Sequence, residues 1–72
     1  MANAFAKGAL VRWKWGSGEA EGKIVERFDR RVSRTLKGKR INRVGTADNP
    51  AYLIEQDDGD RVLKRGSELT RG

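Results

Sequence analysis

The first regular pattern along the chain is an alternation. After Gly8, the run Ala9-Leu10-Val11-Arg12-Trp13-Lys14-Trp15 sends Val11, Trp13 and Trp15 one way and Arg12 and Lys14 the other. A period of two, carried by aromatic and β-branched residues, predicts a half-buried strand. Gly16-Ser17-Gly18 is a flexible turn, so a hairpin should follow. The returning run, Glu19 to Phe28, places Ile24 and Phe28 on one face and Val25 with Arg27 on the other. Gly22 inside that run signals a bulge or a close backbone approach. From Arg27 to Arg43 the periodicity fades. Val32, Leu36, Ile41 and Val44 are scattered through it, and Gly38 interrupts it. A long loop or bent hairpin arm fits best, with a strand near Arg40–Val44. A helix through Arg30–Leu36, ending near Gly38, is the alternative.

Order returns after Thr46-Ala47-Asp48-Asn49-Pro50, a turn in which Pro50 fixes φ and biases Asn49 away from helix. Ala51-Tyr52-Leu53-Ile54-Glu55-Gln56 is the clearest strand. Asp57-Asp58-Gly59-Asp60 is a tight turn, and Arg61 to Arg65 is the partner strand. Gly66 to Leu69 reads as one closing helical turn, with Leu69 plugging the core. The fold class is therefore all-β: a small five-stranded barrel, closed or half-closed, with a short closing helical turn. One domain is expected over residues 1–72, with its core over about 5–70 and a basic arm over about 27–43. The expected core is Leu10 or Val11, Trp13, Ile24, Phe28, Ile41, Val44, Leu53 or Tyr52 with Ile54, Val62 or Leu63, and Leu69.

Composition narrows the chemistry. Seventy-two residues leave room for one thin core. Cysteine and histidine are both absent. No disulfide or thiolate zinc site is available, nor is the commonest acid/base group. Ser17, Ser33 and Ser67 have no histidine to activate them, and the carboxylates sit in turns and on polar faces. The chain is not expected to be an enzyme, and no cofactor or small-molecule substrate is expected. Asp57, Asp58 and Asp60 form too short a cluster for a calcium loop, and the turn explains them better. No metal site is expected. No apolar run reaches signal-peptide or membrane-spanning length, so the expected location is cytoplasmic, with no membrane partner.

The net charge is +6, and half the cations fall in one place. Arg27, Arg30, Arg31, Arg34, Lys37, Lys39, Arg40 and Arg43 are opposed within that arm only by Asp29. Such density attracts phosphates. The first reading is weak, sequence-independent nucleic-acid binding by Arg30, Arg31, Arg34, Lys37, Lys39, Arg40 and Arg43, extended by Arg12 and Lys14. The competing reading is a solvated arm, paired in part with the acidic segment that carries Asp48, Glu55, Asp57, Asp58 and Asp60. A protein- or peptide-interaction module is the alternative function, using Trp15 and Tyr52 as exposed aromatics and favouring an acidic partner. Recognition of a methylated residue in an aromatic cage is a lesser variant of it. A monomer is expected.

Particular stretches carry a family likeness. Gly8 with Val11 and Trp13, then Gly22-Lys23-Ile24-Val25, are its weaker parts. Asp48-Asn49-Pro50-Ala51-Tyr52-Leu53-Ile54-Glu55, followed by Asp58-Gly59 and Lys64…Ser67-Glu68-Leu69, is the specific part. Over roughly residues 5–70 the chain resembles the hypervirulence-associated protein Tudor-domain family, small bacterial and fungal domains. The resemblance implies an SH3-like, Tudor-like β-barrel and a family with poorly defined molecular activity. Where some relatives show His-Lys-Pro after the last strand, this chain has Lys64-Arg65-Gly66, so no role of that histidine transfers.

Overall fold

The computed structural model describes residues 5–72, and the expected domain start at residue 1 lies outside them. Seven strands follow in order: β1 (Leu10–Trp15), β2 (Gly18–Phe28), β3 (Arg31–Leu36), β4 (Lys39–Val44), β5 (Ala51–Glu55), β6 (Arg61–Arg65) and β7 (Thr70–Arg71). The molecule is nearly all-β, as the alternation predicts. The expected barrel is corrected. There are two sheets, one ordered β6-β5-β2-β1-β7 and one made of β3 and β4 alone. Strands β4 and β6 lie alongside each other without a ladder, so the ring stays open. Like charge on the two strands, from Lys39 and Arg43 on one and Arg61 and Lys64 on the other, opposes closure.

The arm is a hairpin and not a helix. Its turn needs positive φ at two successive residues, which Lys37 (+52°) and Gly38 (+78°) supply. Its expected strand near Arg40–Val44 is β4, and β3 is the strand that faded periodicity conceals. The closing helical turn is a single 3-10 turn over Gly66–Glu68, whose Glu68 carboxylate accepts the Arg65 N–H at 2.7 Å. Leu69 follows in extended backbone and is buried, as expected.

Gly22 marks a close approach. A Cβ there would stand 2.6 Å from Ile54 Cγ2 and 2.8 Å from the Glu55 carbonyl oxygen. The bulge lies farther on. Ile24 pairs with Ile54 but Glu26 with Leu53, leaving Val25 as the extra residue. The extra residue inverts the parity of the rest of β2. Ile24 faces Val11, Trp13, Tyr52, Ile54 and Leu69, whereas Phe28 joins Val32, Ala51, Leu53 and Leu63. The expectation that Ile24 and Phe28 share a face is thereby corrected. Strand β5 lies between these two clusters and is buried on both sides, so Leu53 and Tyr52 both enter the core with Ile54.

Of the other either-or positions, Val11 and Leu63 are the buried ones, while Leu10 is half exposed and Val62 half buried. Ile41 is only partly buried. Val44 is 56% exposed, against expectation, because it pairs with Arg31 on the outer face of the hairpin. Residues an odd number apart, such as Ile41 and Val44, cannot share one face of a regular strand.

Candidate binding surface

The register of β3 and β4 decides where each cation of the arm points. Directly opposed residues in an antiparallel pair share a face. The inner face carries Val32 with Arg43, Arg34 with Ile41, and Leu36 with Lys39. The outer face carries Arg31 with Val44, Ser33 with Asn42, and Thr35 with Arg40. The cations that are dense in sequence are therefore divided in space. Arg30 and Arg34 lie over the buried Phe28 ring, 5.4 Å and 5.0 Å from its centroid. Arg34 Nη1–H also donates to the Ser33 carbonyl and Arg43 Nη1–H to the Asn42 carbonyl, both at 2.8 Å. These bonds occupy strand carbonyls that no neighbouring strand takes up.

Lys37 projects from the hairpin turn to Asp60 in the β5–β6 turn, with Nζ 2.6 Å from the carboxylate. The hydrogen bond to Asp60, reinforced by its charge, raises the Lys37 pKa above the ordinary lysine value. The same bond holds Asp60 below the ordinary aspartate value, against the opposing pull of partial burial. Asp60 is fixed in turn by its own N–H, which donates to Asp58 Oδ1 at 2.9 Å. Gly59, at φ +88°, completes the turn expected of this acidic stretch. The pairing of basic arm with acidic segment is thus present between Lys37 and Asp60.

Arg12 and Lys14 do not extend the arm's patch. They lie on the face of β1 that pairs with Glu21 and Glu19, and Arg12 stands 4.0 Å from Glu19. Tyr52 is corrected as an exposed aromatic. It is wholly buried, its hydroxyl accepts the Phe5 N–H at 2.8 Å, and Phe5 packs edge-on against its ring. Trp15, in contrast, is 72% exposed.

The arrangement that sequence reasoning missed is a groove of about 460 Å³ along the β4–β6 seam. Leu36, Ile41, Val62 and Leu63 form its apolar lining, and Lys37, Lys39, Arg43, Arg61 and Lys64 its charge. No carboxylate among the described residues lines it. Arg61 and Lys64 lie far from the arm in sequence, and only the chain's return as β6 brings them beside Lys39 and Arg43. A smaller cleft of about 340 Å³ adjoins it, between Trp13, Trp15 and Ala20 on one side and Gln56, Asp58 and Asp60 on the other.

The specific sequence block has a structural account. The Asn49 side chain brackets Ser67, accepting its N–H at 2.8 Å and donating to its hydroxyl at 3.1 Å. The Gly66 N–H donates to the Pro50 carbonyl at 2.8 Å. These bonds tie the turn before β5 to the turn after β6. The model of the Hypervirulence associated proteins TUDOR domain matches residues 8–69, a span that takes in both turns. The chain belongs to this family. No curated protein and no solved structure matches it. Tudor-like domains are generally non-catalytic. Because the Asn49–Ser67 clamp and the buried Pro50, Ala51 and Tyr52 stabilise the fold, the family's block explains architecture and leaves the ligand to the surface residues.

Proposed function

We propose that this Tudor-family domain is a non-enzymatic module that binds nucleic acid through its phosphates, without sequence preference. The observation that supports it is the β4–β6 groove, lined by Lys39, Arg43 and Lys64 together with Lys37 and Arg61, which are paired outside it with Asp60 and Glu55. The Lys39 and Arg43 side chains on one wall face Arg61 and Lys64 on the other, so charge accumulates along a line instead of dispersing over a convex surface. Arg31 and Arg40 add charge on the outer face of the hairpin, among Ser33, Thr35 and Asn42. Arg30, Arg34 and Lys37 contribute field, but each already has a partner in Phe28 or Asp60. Phosphate contacts of this kind position a nucleic acid without reading its bases. A groove built from two exposed rings is not formed, since Tyr52 is buried, and this favours nucleic acid over aromatic-led peptide recognition.

The test is a titration of the folded domain with single-stranded DNA, duplex DNA and RNA at two salt concentrations, read by amide shifts. Saturable shifts along β4 and β6 that weaken with salt are expected. Lys39→Gln, Arg43→Gln and Lys64→Gln should each reduce the slope of log affinity against log salt by about one. Binding that is indifferent to salt, or unaltered in all three variants, would refute the proposal.

A further inference from the structure

The basic groove does not stop at the hairpin tip. Lys37, Arg61 and Val62 line both the groove and the cleft beside Trp15, so the two hollows adjoin at these residues. A line of cations therefore ends at an exposed indole. Trp15 is the only aromatic ring largely exposed among the described residues, while Trp13 beside it is buried and forms the cleft wall. No side chain opposes Trp15 across the hairpin, because its partner on β2 is Gly18. One indole face is thus left open at the end of a phosphate-attracting track.

We infer that the groove takes a single strand of nucleic acid, with its backbone along Lys39, Arg43 and Lys64 and one base stacked on Trp15. The inference rests on the phosphate-binding reading above. Aromatic faces accept any base, since every base has a π-face, so the contact adds affinity without sequence preference. A six-residue strand at about 3.3 Å per residue gives a track of about 20 Å. That is room for about four nucleotides, the low end of site sizes for small β domains. A duplex is stiff, with a persistence length of about 50 nm, and keeps its bases paired. It can lay phosphates along the groove but offers no unstacked base to Trp15. Asp58 and Asp60 on the far wall of the cleft give the track a stop. Lys37 offsets Asp60, and the remaining negative charge keeps phosphates on the Arg61 side while the uncharged base enters toward the indole.

The experiment compares a short oligothymidine strand, the same strand with abasic positions, a duplex and oligoglutamate. Each is titrated against the wild-type domain, Trp15→Ala, Trp15→Phe and a Lys39→Gln/Arg43→Gln/Lys64→Gln variant, all shown to be folded by their amide spectra. Oligothymidine should quench tryptophan fluorescence and bind more tightly than the duplex. Trp15→Ala should weaken it about tenfold, Trp15→Phe should restore most of the loss, and the abasic strand should bind the wild type as weakly as oligothymidine binds Trp15→Ala. Equal binding of strand and duplex with no effect of Trp15→Ala would overturn the single-strand inference. It would leave phosphate binding standing if the triple variant still lost affinity. Oligoglutamate binding as tightly as oligothymidine, or no salt-sensitive binding of any nucleic acid, would overturn both.

Discussion

Trp13 and Trp15 stand on the same side of β1, two residues apart, yet their surroundings differ. Trp13 faces Ala20 across the hairpin and joins the cluster of Val11, Ile24, Tyr52, Ile54 and Leu69. Trp15 faces Gly18 and is largely exposed. The same residue type should therefore give opposite results on truncation. Trp13→Ala should cost about 3–5 kcal/mol, which is much of what a domain this small can hold. Trp15→Ala should stay within about 0.5 kcal/mol. Chemical denaturation of the two variants checks this, and equal costs would contradict the assigned environments. Alternation alone puts both rings on the core side of the strand. Only the glycines at 16 and 18 hint that the core ends before Trp15, because nothing at Gly18 can cover it.

Among elements, the β3–β4 hairpin joins the five-stranded sheet by few links. The Gly45 N–H to the Arg30 carbonyl at 3.1 Å closes the hairpin's own ladder at its base, while the tip is tied to the β5–β6 turn by Lys37–Asp60 and Val32, Leu36 and Ile41 pack against the sheet. The tip link titrates. The depressed Asp60 pKa makes its contribution fully present above the ordinary aspartate value and lost as pH falls through the lower folded-state value. The raised Lys37 pKa makes its contribution present below the ordinary lysine value and lost as pH rises through the higher folded-state one. Melting temperatures of the wild type and Lys37→Met should differ most between these limits and converge outside them. A constant difference across the whole range would show that the ion pair does not hold the tip. Sequence pattern revealed β1, β5 and β6, whose hydrophobic positions and bounding turns are plain. It hid β3, where Arg34 stands between Val32 and Leu36 on the inner face and masks the alternation by lying over Phe28. The groove was also hidden, because Arg61 and Lys64 carry no local signal that they will meet Lys39 and Arg43.

For the whole molecule, the two clusters on either side of β5 set the order in which parts open. Strand β5 is hydrogen-bonded to β2 and β6 and buried on both faces, so its amides should exchange only on global unfolding. The hairpin amides, with one ladder and an open seam, should exchange sooner through local opening. Hydrogen exchange resolved by residue checks this, and equal protection of β3–β4 and β5 would mean the two sheets open as one unit. Charge is divided along the same line. Arg12, Lys14, Glu19, Glu21, Lys23 and Glu55 mix both signs on one side of the large sheet, leaving the excess of +6 concentrated at the hairpin and β6. Approach of a polyanion is thereby steered to the open seam. The separation of the two clusters along β2 depends on Val25, which acts as a shift of reading frame within the pleat. Residues before it are read into one interior and residues after it into the other. The frame is kept only while Val25 stays outside the ladder: were it to pair with Leu53 as the next regular rung, Glu26 would move to Tyr52 and Arg27 to Ala51, and Phe28 would lose its place beside Leu53 and Leu63.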